Sequence, residues 1–157
     1  MKYKILFILT LLLIVCIVFQ QIHIFHLKEQ LGKQVLRRID SLYKAVQLTQ
    51  ASMTKKENLK IKDLTKLEWI FMEQKIKIEC INQSVTFIRG ELDEFSNQLE
   101  NNKQMGFKDD VLIELSKLKK ALNVIKEDCE DIPINYYNLR YKKNNETMKK
   151  VEKILKD

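Results

Sequence analysis

His23 and His26 stand three residues apart, a helical spacing that would let two imidazoles reach one metal ion. Neither has a Cys or Asp within a turn, and both lie at the end of a long apolar run. A polar belt at a membrane interface is the plainer expectation, so no metal is assigned. Cys80 and Cys129 form the second pair. On neighbouring helices, with Cα atoms within about 7 Å, they would make a disulfide in an oxidising compartment. Otherwise they are two small buried apolar residues, and both readings stay open. Cys16 falls inside the apolar run and reads as packing. There is no glycine-rich phosphate loop and no Cys-x-x-Cys. No carboxylate falls in a recognisable apolar stretch where a raised pKa would suit acid or base catalysis. Asn82-Gln83-Ser84 and Asn145-Glu146-Thr147 fit the glycosylation sequon. These residues predict neither an enzyme nor a cofactor.

The elements that would position them begin with the apolar run itself. Residues Ile5 to Phe25 carry no charge and follow a head with Lys2 and Lys4. As a helix such a run spans a hydrocarbon core of about 30 Å. A cleaved signal peptide needs small residues at its cut site, and none occurs between Val15 and Leu31. Leu13-Ile14-Val15-Cys16 only faintly resembles a lipoprotein box, because Val15 is large. The expectation is an uncleaved anchor over residues 1–25 and a helical domain over residues 26–157. Basic residues flank both sides of the run, and the signal-anchor layout favours an extracytoplasmic body.

One Pro, three Gly and 31% charged residues suit long helices rather than a sheet. The predicted class is all-α: a transmembrane helix, then an antiparallel up-down bundle of coiled-coil hairpins with about four helices. Their expected spans are 27–56, 60–101, 109–130 and 134–156. The first stripe is Leu27, Leu31, Val35, Ile39, Leu42, Val46, Thr49 and Met53. The second runs from Leu64 through Phe71, Gln74, Ile78, Ile81, Val85, Ile88 and Leu92 to Leu99, in alternating steps of three and four. The third is Val111, Leu115, Leu118, Leu122, Ile125 and Cys129, preceded by capping Asp109 or Asp110. Pro133 breaks it, and Tyr137, Tyr141, Asn144, Met148, Val151 and Leu155 make the last. Antiparallel pairing of successive stripes places the reversals near Asn58, Met105 and Pro133.

In that register Trp69, Ile70, Met72 and Ile76 lie on a two-helix tip that cannot bury them, a candidate surface for a protein partner or self-association. Lys149, Lys150, Lys153 and Lys156 fall on the anchor side, where they would face lipid headgroups. A straight first helix paired past Leu92 would carry Asp93, Glu94 and Glu100 into hydrocarbon. The register therefore predicts a bend between Gln20 and Gly32, or departure of the second helix near Gly90, with the body leaning on the membrane.

Net charge is +7, in a basic–acidic–basic order that folding neutralises in part. The tyrosines of the last helix are not interleaved with its lysines, so no nucleic-acid partner is expected. Arg37-Arg38-Ile39-Asp40, and Tyr137-Asn138 followed by Asn145, are similar to motifs near the two ends of LemA-type proteins. The layout of anchor and helical body resembles theirs as well, and implies the same all-helical class. Three functions are consistent with the residues. The first is a membrane-anchored interaction or scaffold module at the cell envelope. The others are a tethered sensor or ligand-binding helical domain, and a lipid- or polyanion-binding structural protein. Gln74 and Asn144 are the polar members of the stripes after the first helix, so the core looks dry and favours the scaffold.

Overall fold

A computed structural model describes residues 2–54, 69, 71, 78–100, 109–141 and 145–156. Every regular element among them is an α-helix. α1 spans Lys2–Thr54, α2 Glu79–Glu100, α3 Asp109–Cys129, α4 Pro133–Tyr141 and α5 Glu146–Lys156.

α1 is a single helix of 53 residues. It contains no Pro, and its one glycine, Gly32, does not interrupt it. Its two halves differ in patterning. Ile5 to Phe25 is apolar on all sides and entirely exposed. Beyond Gly32 the apolar residues narrow to one stripe, and Val35, Ile39, Leu42, Ala45, Val46, Thr49 and Met53 are buried. Buried Thr49 satisfies its hydroxyl by donating to the Ala45 carbonyl at 2.8 Å.

Most of the core of α2 and α3 comes from the predicted stripes. α2 buries Ile81, Val85, Ile88 and Leu92, and α3 buries Val111, Leu115, Leu118, Ala121, Leu122, Ile125 and Cys129. α3 opens on Asp109 and Asp110, whose charge suits the positive end of the helix dipole. α5 is capped by Asn145, whose Oδ1 accepts the Thr147 N–H at 2.9 Å.

Four contacts set the direction of α3 and α4 against α1. Gln50 Nε2 donates to Ser116 Oγ at 3.2 Å, and Lys126 Nζ bonds Asp40 Oδ1 at 2.7 Å. Pro133 lies on Gly32, and Lys28 Nζ stands 5.9 Å from the centre of the Tyr137 ring. Each step back along α1 is matched by a nearly equal step forward along α3 and then α4. Both helices thus follow one antiparallel track down α1, toward its apolar half. α5 returns along α3, with Thr147 and Lys150 bonded to Asp128 at its start. α2 packs on α3 and α5.

Several expectations are corrected here. α1 is helical throughout Gln20–Gly32, so the chain has no break there. Glu79–Glu100 is helical through Gly90, and the interruption of the predicted 60–101 helix falls at Ile78 instead. α3 runs antiparallel to α1, where the paired stripes predict it parallel. A heptad stripe fixes which face is buried but carries no label for the direction of its partner.

The predicted 134–156 helix is two helices, separated at Asn145. Chain reversal follows α4 rather than occurring at Pro133. Between α3 and α4, Glu130 and Asp131 both have left-handed φ, of 50° and 55°. Such a conformation costs L-residues about 1 kcal/mol or more each. It is held by the Ile132 N–H bond to the Cys129 carbonyl and by Asn135 Nδ2 on the same carbonyl. The turn shifts helical phase, so Tyr136 and Leu139 enter the core in place of Tyr137 and Tyr141.

Candidate interaction surfaces

Trp69 is exposed at 59% while Phe71 is 1% exposed, so this stretch turns one aromatic inward and the other out. Ile70, Met72 and Ile76, the other members of the predicted partner surface, lie outside the described residues. Leu48 and Ile113 are further large apolar side chains exposed on the packed part of the molecule.

The lysines of α5 do not gather at the apolar end of α1. α5 starts beside Asp128 and runs the other way, so Lys156 shares a cleft with Glu114. Lys150 Nζ bonds Asp128 Oδ2 at 2.8 Å, and Thr147 Oγ1 donates to the same oxygen at 2.9 Å. The Lys150 ammonium and then the Thr147 hydroxyl hold the Asp128 carboxyl below its ordinary value. Lys149 and Lys153 are solvent-facing. The register puts these four on the anchor side, whereas α5 runs along α3 away from Ile5–Phe25, with Lys156 beside Glu114.

The cleft between α2, α3 and α5 has a volume of about 270 Å³. Cys80, Ser84, Phe87, Glu114, Glu152 and Lys156 line it. Burial raises the Cys80 thiol pKa, and Glu152 adds to the effect, so the sulfur is a poor nucleophile. Cys129 is buried, and desolvation pushes its thiol to about 11, with Asp128 contributing. Both are free thiols, so the structure holds no Cys80–Cys129 bridge.

In the two sequons, Ser84 is buried in the second turn of α2, and Asn145 and Thr147 are engaged in the cap and the Asp128 bond. Near the predicted polar belt, His26 Nδ1 lies 3.8 Å from Glu29, which bonds Lys33 at 2.7 Å. Lys33 holds the Glu29 carboxyl below its ordinary value. Among the described residues no three His, Cys, Asp or Glu converge as metal ligands.

The pattern missed in the sequence is on α4. Tyr137 and Tyr141 stack with ring centres 4.7 Å apart, and the Arg140 guanidinium lies 4.9 Å from the Tyr141 ring centre. The i, i+4 spacing of the two tyrosines was the available signal, but it read as a core stripe. Comparison with known protein families, curated proteins and solved structures finds no match to this chain. The likeness to LemA-type proteins therefore stays one of layout and short motifs.

Proposed function

We propose that this protein is a single-pass membrane protein whose helical bundle serves as an interaction or scaffold module at the cell envelope. One observation carries the reading: α1 is a single helix whose first half is apolar and exposed all round, while its second half is the spine of the packed body. An exposed apolar cylinder about 30 Å long is stable only in an apolar surrounding. The body is extracytoplasmic in this proposal, following the signal-anchor layout of the N-terminal segment. Partner contact falls to the exposed Trp69 surface, together with Ile70, Met72 and Ile76 of the sequence pattern.

Crosslinking in intact membranes, with protease accessibility read on the same sample, tests the proposal. Recovery of the chain in the membrane fraction after alkaline carbonate extraction is expected, with crosslinked species lost on Trp69→Ser and Met72→Ser. A chain released by carbonate, or crosslinks unchanged by the double substitution, would overturn the anchor and the partner surface respectively.

The ligand-binding reading rests on the cleft of α2, α3 and α5, whose lining mixes Glu114 and Glu152 with Lys156 and the aromatic Phe87. The cleft opens to solvent on the side of the bundle rather than entering its dry core, which supports the scaffold first.

A further inference from the structure

We infer that the tip of α4 is an interfacial foot: Tyr137, Arg140 and Tyr141, with Lys28 of α1, seat the body in the headgroup layer of an anionic membrane. The inference rests on the membrane reading of α1 above and adds where the body meets the lipid.

The antiparallel track provides the height. Pro133 lies on Gly32 and Tyr137 is level with Lys28. One more turn brings Tyr141 level with Ile24, inside the last turn of the apolar run, since four residues rise about 6 Å. α4 is thus the packed element that reaches down to the boundary where Phe25 gives way to Lys28 and Glu29.

The contact that holds it there is close. Gly32 is buried, and a Cβ at this position would overlap the Pro133 carbonyl. Only glycine lets the two backbones approach so nearly, which places α4 flush against α1 rather than beside it.

The chemistry at this height fits an interface. Tyr141 is 46% exposed, and Phe25 and Leu27, near its level on α1, are exposed at 55% and 46%. Tyrosine combines an apolar ring with a polar hydroxyl and belongs at the headgroup level, not in hydrocarbon and not in bulk water. Arg140 and Lys28 place positive charge against the faces of these rings, and both side chains are long enough to extend toward phosphates. Such residues are drawn to an anionic leaflet.

Single-tryptophan reporters in the full chain decide the matter. The background is Trp69→Phe, with Tyr141→Trp as reporter, Phe19→Trp in the span and Leu48→Trp on the far part of the body. Each protein is reconstituted in phosphatidylcholine–phosphatidylglycerol vesicles containing lipid brominated high on the acyl chain. Expected are quenching at Phe19→Trp and Tyr141→Trp, blue-shifted emission at both, and neither effect at Leu48→Trp. Quenching at Phe19→Trp with none at Tyr141→Trp would overturn the foot and leave the span standing. No quenching at either would overturn the span itself. Equal quenching of Tyr141→Trp in vesicles of phosphatidylcholine alone, or after Arg140→Glu, would overturn the requirement for anionic headgroups. Circular dichroism guards against misfolding, and Tyr137→Trp supplies a second reporter should Tyr141→Trp disturb α4.

Discussion

The two halves of α1 share one backbone and one unbroken ladder of hydrogen bonds, yet they live in different surroundings. Ile5–Phe25 offers apolar side chains in every direction, and all of them are exposed. Gly32–Met53 offers them along one stripe and disappears beneath α3, α4 and neighbouring chain. Helix formation alone therefore does not distinguish a span from a spine; the angular width of the apolar surface does. A full cylinder needs an apolar solvent, whereas a stripe needs another stripe.

Substitutions in the two halves should separate the environments most sharply. Ile39→Ala removes a fully buried side chain and should cost about 2–5 kcal/mol of bundle stability. Leu12→Ala should leave denaturant unfolding of the bundle in detergent nearly unchanged, because Leu12 is exposed and lies outside the buried core. Equal losses would show that the halves are not independent.

The stripes themselves were readable. Val35, Ile39, Leu42, Val46, Thr49 and Met53 are buried as their spacing predicts, and so is every member of the α3 stripe from Val111 to Cys129. Burial is a local consequence of period, and period is written in the residues. Direction and phase were not. Nothing in the spacing of Ile78 marks it as lying outside a helix that opens at Glu79, since the predicted stripe continues through it. Nor do Glu130 and Asp131 announce left-handed backbone, since that conformation is favoured by glycine and only tolerated here by the surrounding bonds. Both errors propagated into the site: they placed the lysines of α5 at the anchor and hid the tyrosines of α4.

Gly32→Ala probes the junction between the halves. Its methyl would meet the Pro133 carbonyl, so α4 has to move off α1 or the helix has to bend. Overpacking of this kind costs about 1–3 kcal/mol. The expected signature is a lowered denaturation midpoint together with faster hydrogen exchange in α4 than in α2. A stable protein with unchanged exchange would show that α4 is held from elsewhere.

The smallest effect is alkaline. Burial raises the thiol of Cys129 to about 11 from 9.0, and the Tyr136 phenol is raised as well. The native state therefore holds these protons longer than the unfolded chain, and stability is lost as pH rises from 9 toward 11. For Cys129 the loss is on the order of 1–2 kcal/mol once residual hydration is allowed for. Lys126, raised by its bond to Asp40, acts with the same sign: its contribution is complete below 10.5 and fades above it. Chemical denaturation at pH 8 and pH 10.5 should show the decline, and Cys129→Ala should flatten part of it. A flat profile in the unsubstituted protein would show that this end of the core is wetter than its burial suggests.

The unbroken course of α1 has a mechanical meaning. A helix of 53 residues is about 80 Å long, and on the membrane reading its lower part is the span while its upper part is core. No swivel separates them, so the bundle inherits the rotational setting of the span. Adding one residue between Phe25 and Lys28 would lift the body by about 1.5 Å and turn it by about 100° about the helix axis. Whatever face the bundle shows to a neighbour in the same membrane is thus set as a compass bearing by the count of residues below it. A partner that is also held upright would meet that face at one height and one heading, and a change of a single residue would turn it away.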